Sequence, residues 1–153
     1  MSALAATRPD SWELPLFLHV LGAMVLVGAL VLAFTSLAGA GRAGSGTALR
    51  VGYRALLLAS IPAWIVMRVA AQWLADEENV ADLDAAWINL GYSTSESSLV
   101  FLIAATVCAG IAARRVRAEK GEGSGLALAA SILIGIVLLA YAVTIWAMAT
   151  KPT

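Results

Sequence analysis

Leu18-His19-Val20-Leu21-Gly22-Ala23-Met24-Val25-Leu26-Val27-Gly28 sets the chain's one histidine inside an apolar run, residues 14–38, that holds no aspartate, glutamate, lysine or arginine. As an α-helix rising ~1.5 Å per residue, such a run is long enough to cross the ~30 Å hydrocarbon core of a bilayer. Pro15 suits a first turn, where its missing N–H costs nothing, and Asp10 or Ser11 is placed to cap it. Three further apolar runs follow, over residues 49–74, 98–113 and 126–149.

The composition agrees with that pattern. Of 153 residues, 61% are hydrophobic and only 13% charged; soluble domains carry roughly a quarter charged residues. The mean hydropathy is +0.86. These values exclude an ordinary soluble core and predict an all-α, integral membrane four-helix bundle, with residues 1–153 forming a single transmembrane domain. The single cysteine, Cys108, rules out an intrachain disulfide framework or thiolate cluster. A basic surface interleaved with aromatics is missing, so nucleic acid is not an expected partner.

Charge distribution predicts orientation. Arg42, Arg50, Arg54, Arg114, Arg115, Arg117 and Lys120 flank the first and third connections, whereas Arg8 and Lys151 stand near the other helix ends with most of the acids. The positive-inside rule then gives N-out, C-out and four crossings, in the plasma membrane of a bacterium. Trp12, Trp73 and Trp146 fall at the outer interface in that arrangement, as an aromatic belt. Arg8, followed by Asp10 and Glu13, is not the basic start of a secretory signal.

Connections and breakers are legible too. Residues 39–46, rich in glycine, read as a flexible loop. Pro62 should kink the second helix by freeing the carbonyl four residues earlier. In the long outer loop, residues 76–97, the apolar residues Val80, Leu83, Trp87 and Leu90 recur at helical spacing between Asn79 and Gly91. They predict a short interfacial amphipathic helix. Ser93-Thr94-Ser95-Glu96 has capping-box spacing before the third run. Stepping by four, Ala105, Ala109 and Ala113 on one helix and Ala127, Ser131 and Gly135 on another predict close-packed seams.

Intramembrane ionisable groups are costly and therefore functional candidates. His19 and Arg68 are the two, both roughly 7–9 Å below the outer interface by helical rise. Gln72 lies one turn above Arg68, and Tyr141 and Thr144 reach the outer half of the fourth helix. A neutral imidazole is a common metal and haem ligand, which makes His19 a candidate metal- and cofactor-binding residue. Gly22 and Ala23 on the same face leave room for a flat ligand. The plain alternative is a histidine hydrogen-bonded between helices, to Tyr141. A second axial ligand would come from Met67, Met148 or another subunit, or be absent; Met24, about 140° round the helix, cannot share the metal. Arg68, with Gln72 and Tyr141 nearby, is a candidate clamp on a propionate, carboxylate or phosphate. Its plain alternative is snorkelling or pairing with Glu13, Asp76 or Glu96. The acids Asp76, Glu77, Glu78, Asp82 and Asp84 lack calcium-loop spacing.

Leu18-His19-Val20-Leu21-Gly22, with Val27-Gly28 after it, resembles the first helix of a group of small bacterial four-helix membrane proteins that read Leu-His-x-Leu-Gly. A similar first helix occurs in the copper-resistance D family and the HemJ-type protoporphyrinogen oxidases. The resemblance covers about a dozen residues. It departs where the relatives have tryptophan (Leu26 here) and a glycine pair (Gly28-Ala29 here). It implies a haem contact at His19 alone. Three functions are therefore expected to compete: an outward-facing ligand site, with haem b or a metal in redox or haem handling; a non-catalytic accessory or structural subunit of a larger membrane complex; and an oligomeric channel or transporter. The last needs a polar file across the membrane, which the apolar inner half does not offer.

Overall fold

The computed structural model describes residues 10–77, 86–118 and 123–150. Among these the chain is helical throughout, and four helical spans are long and apolar enough to cross a membrane. A 3₁₀ turn, Asp10–Trp12, leads into α1, Glu13–Ala43. The second span is built from α2, Gly46–Arg54, a π-helical segment, Ala55–Ser60, and α3, Ile61–Glu77. The third is α4, Ala86–Arg117, and the fourth α5, Ser124–Ala149.

The first glycine-rich stretch is mostly helix, not a flexible loop. α1 runs through Gly39 and Gly41 and stops at Gly44, whose φ of 65° is the left-handed geometry that closes a helix. Gly44 N–H bonds the Ala40 carbonyl at 2.9 Å. Gly41 is kept small by packing, since a Cβ there would sit 3.2 Å from the Leu128 nitrogen of α5. Neither Asp10 nor Ser11 caps α1: the residue before it, Trp12, is already helical and makes no side-chain cap bond. Ser45 does cap α2, its Oγ accepting from Ala48 N–H at 3.3 Å.

Pro62 acts through the segment before it. The backbone steps to i→i+5 bonding over Ala55–Ser60, and Ile61 N–H reaches the Leu56 carbonyl. Ser60 Oγ donates to the Ala55 carbonyl at 3.2 Å. A proline that removes a helical donor is thus accommodated by a π-bulge, which spreads the kink over a turn.

The largest departure concerns residues 86–97. They belong to the same continuous helix as the third apolar run, so no separate interfacial helix exists there and Gly91 does not end one. The part of that expectation resting on residues 78–85 lies outside the described residues. Ser93–Glu96 does not cap anything: Ser97 Oγ donates to the Ser93 carbonyl at 2.7 Å and Ser98 Oγ to the Ser95 carbonyl at 2.7 Å. Hydroxyls that bond back to their own helix can sit in its interior, and these do.

α1 is the centre of the bundle, packing on α3 and on α5; α4 packs on α5 and on the α2 half of the second span, and barely approaches α3. Leu26, Leu30, Ala33 and Leu37 form its inward stripe, each 1% exposed or less. The small-residue seams lie where the spacing predicts: Ala105, Ala109, Ala113, Ala127 and Ser131 are buried, and Gly135 faces the Phe34 ring. The outward faces stay apolar, with Phe17, Met24, Leu58, Val69, Val100 and Leu139 all more than half exposed. Helices apolar on their outward faces as well as their inward ones fit spans long and apolar enough to cross a membrane.

Candidate functional site

His19 sits on α1 where that helix comes nearest to α3. The approach is set by Gly22: a Cβ there would lie 2.9 Å from the Met67 backbone nitrogen and 3.1 Å from its Cα. One turn earlier, the half-buried imidazole places Nδ1 3.1 Å from the Met67 carbonyl oxygen. A carbonyl only accepts, so this bond requires a proton on Nδ1, and in the neutral ring that tautomer leaves the lone pair on Nε2. The plain alternative, a histidine hydrogen-bonded between helices, is met, with the Met67 carbonyl of α3 as the partner in place of Tyr141, which bonds Ser98. The space expected beside Gly22 for a flat ligand is filled by the backbone of α3.

Arg68 follows Met67 in sequence but turns about 100° away round the helix, toward α4. Its Nη1 donates to Gln72 Oε1 at 3.2 Å, its Nη2 lies 3.8 Å from Glu96 Oε1, and its guanidinium stacks 4.8 Å from the Tyr92 ring centroid. Tyr92 Oη donates to the same Gln72 oxygen at 3.3 Å, while Gln72 Nε2 donates to Asp76 Oδ1 at 3.0 Å. Glu96 is the partner taken from the three acids the sequence offered. The pair is loose: Arg68 is 23% exposed and Glu96 69%, so screening leaves it little energy. Arg68→Leu is therefore expected to lower thermal stability by no more than about 1 kcal/mol. Thermal melts of the purified proteins check this, and they should show the same small change for Glu96→Gln.

Below that cluster, a second polar group joins three helices. Trp64 Nε1 donates to the Ser95 carbonyl at 3.1 Å and to Ser98 Oγ at 3.2 Å. Tyr141 Oη lies 2.8 Å from Ser98 Oγ, and the Thr144 and Thr94 hydroxyls are 2.9 Å apart. The structure thus gathers Arg68, Gln72 and Tyr141 along the α3–α4–α5 side and leaves His19 on the α1–α3 seam. The four do not form one pocket. Trp64, Tyr92, Ser95 and Ser98 were not picked out by sequence reasoning. Their signal was available: a tryptophan inside an apolar run needs a partner for its N–H, and a run of hydroxyls supplies one.

His19 could supply one nitrogen ligand to a metal or haem, since its Nδ1 is occupied by the Met67 carbonyl and the ring is only half-buried. Met67 is 6% exposed and wedged against Gly22, and the Met148 side chain lies outside the described residues. Among the described residues no three His, Cys, Asp or Glu side chains cluster in a metal-binding arrangement. Cys108 is a half-buried free thiol packed on the core. The chain matches no family model, no curated protein and no solved structure.

Proposed function

We propose that this is a multi-pass protein of a bacterial plasma membrane, with its arginine-rich end cytoplasmic and both termini outside. In its outer half His19 serves as the ligand of a metal-bearing cofactor, with haem b the best chemical match, in redox or haem handling. One observation carries the reading. Nδ1 is tied to the Met67 carbonyl, the outer-shell arrangement that orients a ligating histidine and frees Nε2. The orientation is supported by charge. Arg42, Arg50, Arg54, Arg114, Arg115 and Arg117 are exposed at one end, and among the described residues all acids lie at the other, with Trp73 and Trp146 exposed there too.

In this reading His19 would hold the metal of the cofactor, and the Met67 carbonyl orients His19. A bound haem would supply one-electron transfer between ferric and ferrous iron. Arg68 does not share a face with His19, so neutralising a propionate is not its first role; anchoring α3 to α4 is. The test is optical. Detergent-purified protein, oxidised and then dithionite-reduced, should show a Soret band that shifts on reduction and is absent from His19→Ala. A featureless spectrum after haem is supplied during expression overturns the cofactor reading.

A second reading is favoured by the Arg68–Gln72–Tyr92–Glu96 and Trp64–Ser98–Tyr141 groups, whose polar atoms bond to one another. Polar groups closed on themselves hold helices rather than ligands, which suits a non-catalytic subunit of a larger membrane complex. Co-purification of stoichiometric partner chains with a colourless protein would favour it.

A further inference from the structure

Ser95, on α4, is 7% exposed, and its hydroxyl oxygen has no hydrogen-bond partner among the described residues. Everything bonded around it is accounted for. The Ser95 carbonyl receives the Trp64 indole N–H at 3.1 Å and the Ser98 hydroxyl at 2.7 Å, which fixes the residue between α3 and its own next turn. A hydroxyl carries one proton and two lone pairs. Ser98 spends its proton on the Ser95 carbonyl and accepts from Trp64, so in its 2.8 Å contact with Tyr141 the tyrosine hydroxyl is the donor. Ser95 alone in this group keeps both its proton and its lone pairs unused. An unpartnered hydroxyl is costly to bury, and buried polar groups are as a rule paired with protein or with water.

We propose that Ser95 Oγ anchors a binding site for a single water molecule at the junction of α3, α4 and α5. The chemistry selects that occupant. The bonds among Trp64, Ser95, Ser98 and Tyr141 involve no charged side chain, so an ion there would be uncompensated. The free hydroxyl offers a donor and acceptors together, and water answers both. Bonds of 2.7–3.2 Å already tie the surrounding groups to one another, which leaves room for a small molecule only. A buried water takes roughly 2–4 polar partners. Ser95 Oγ is one, and Tyr141 Oη, which reaches the same Ser98, still has a lone pair to offer. Access is along the α3–α4 seam, where the two backbones barely approach and where Glu96 and Ser97, next in the chain, are exposed. The proposal does not rest on the reading of His19, and His19→Ala should leave the site unchanged.

The test uses the full chain in lipid nanodiscs with its tryptophans labelled by ¹⁵N. The Trp64 indole resonance is assigned by its loss in Trp64→Phe, and magnetisation transfer from water to the indole proton is then measured. The expected result is a water cross-peak in the unaltered protein that is lost in Ser95→Ala, with the indole resonance itself retained. A missing cross-peak in the unaltered protein overturns the proposal. So does a cross-peak that persists in Ser95→Ala, because the exchanging hydroxyls of Ser98 and Tyr141 would then be its source. Thermal melts give an independent sign. Removing a hydroxyl that has no partner relieves its burial and raises the Tm, whereas removing one that holds a water lowers it. Ser97→Ala, at an exposed serine of the same helix, supplies the baseline for the change of residue type. Ser95→Ala is expected to melt about 2 °C or more below that baseline. Melting at or above it overturns the proposal.

Discussion

Gly22→Leu is expected to prevent the folded bundle from accumulating. The glycine meets backbone, not a side chain that can swing aside. The nearest atoms to a Cβ are Met67 N at 2.9 Å and Met67 Cα at 3.1 Å. α1 and α3 can make room only by separating. That removes the His19–Met67 bond and loosens Leu26 and Leu30 at the centre of the core. Overpacking of this kind costs about 1–3 kcal/mol in side-chain cores and more against backbone, and a lost interhelical hydrogen bond adds roughly 1 kcal/mol. Gly22→Ala, whose Cβ would stand 2.9 Å from backbone and so forces α1 and α3 to shift, should also melt lower, but by less than the leucine variant. The check is the fraction of monodisperse protein on size exclusion, with thermal melts of what survives. Normal yield and melting for the leucine variant would mean that the two helices are not in backbone contact at this point.

Trp64→Ala is expected to be the second most damaging change. α3 and α4 approach each other little through their backbones, so side chains bridge them. Trp64 is the half-buried member of that bridge, with its indole N–H shared between the Ser95 carbonyl and Ser98 Oγ. Removing a packed tryptophan costs about 3–5 kcal/mol. Trp64→Phe separates the two contributions, keeping the ring and losing the donor, for about 1–2 kcal/mol. Thermal melts of both variants should show the alanine change to be at least twice the phenylalanine change. Equal effects would assign the residue's contribution to the hydrogen bond alone.

The existence of the four spans was legible because each rests on a local property, the length of an apolar run, although the first and third helices extend beyond the runs 14–38 and 98–113, to Glu13–Ala43 and Ala86–Arg117. Residues 49–74 and 126–149 lie within helical spans described as Gly46–Glu77 and Ser124–Ala149. What was not legible depends on neighbours. Gly39 and Gly41 read as loop because glycine is a poor helix former, yet Gly41 is helical where α5 comes close. Ser93–Glu96 reads as a cap by spacing, but whether a serine caps or bonds backward depends on whether the helix has already begun, and here it begins at Ala86. Pro62 marked the place where the helix departs from α geometry; that the departure is a π-helical segment depends on how Ser60 and Ile61 find acceptors.

For the site, the separation of His19 from Arg68 was hidden for a similar reason. Depth along the membrane follows from counting residues, and both were placed at the same depth. Direction round a helix relative to its neighbours depends on which helices pack together. α3 shows Met67 to α1 and Arg68 to α4, so two groups at one level serve different seams. The partner of His19 is a backbone carbonyl, which no residue type in the sequence announces.

Because the chain has one histidine, labelling histidine with ¹⁵N gives a single pair of imidazole resonances, both from His19. Their chemical shifts in detergent or lipid report directly which nitrogen carries the proton. The account predicts that the neutral ring carries its proton on Nδ1 and leaves Nε2 bare, with the Nε2 resonance alone shifting or broadening when ferric haem is added. A proton found on Nε2, or a pair of resonances indifferent to haem, would contradict the claim that Met67 holds His19 ready as a ligand.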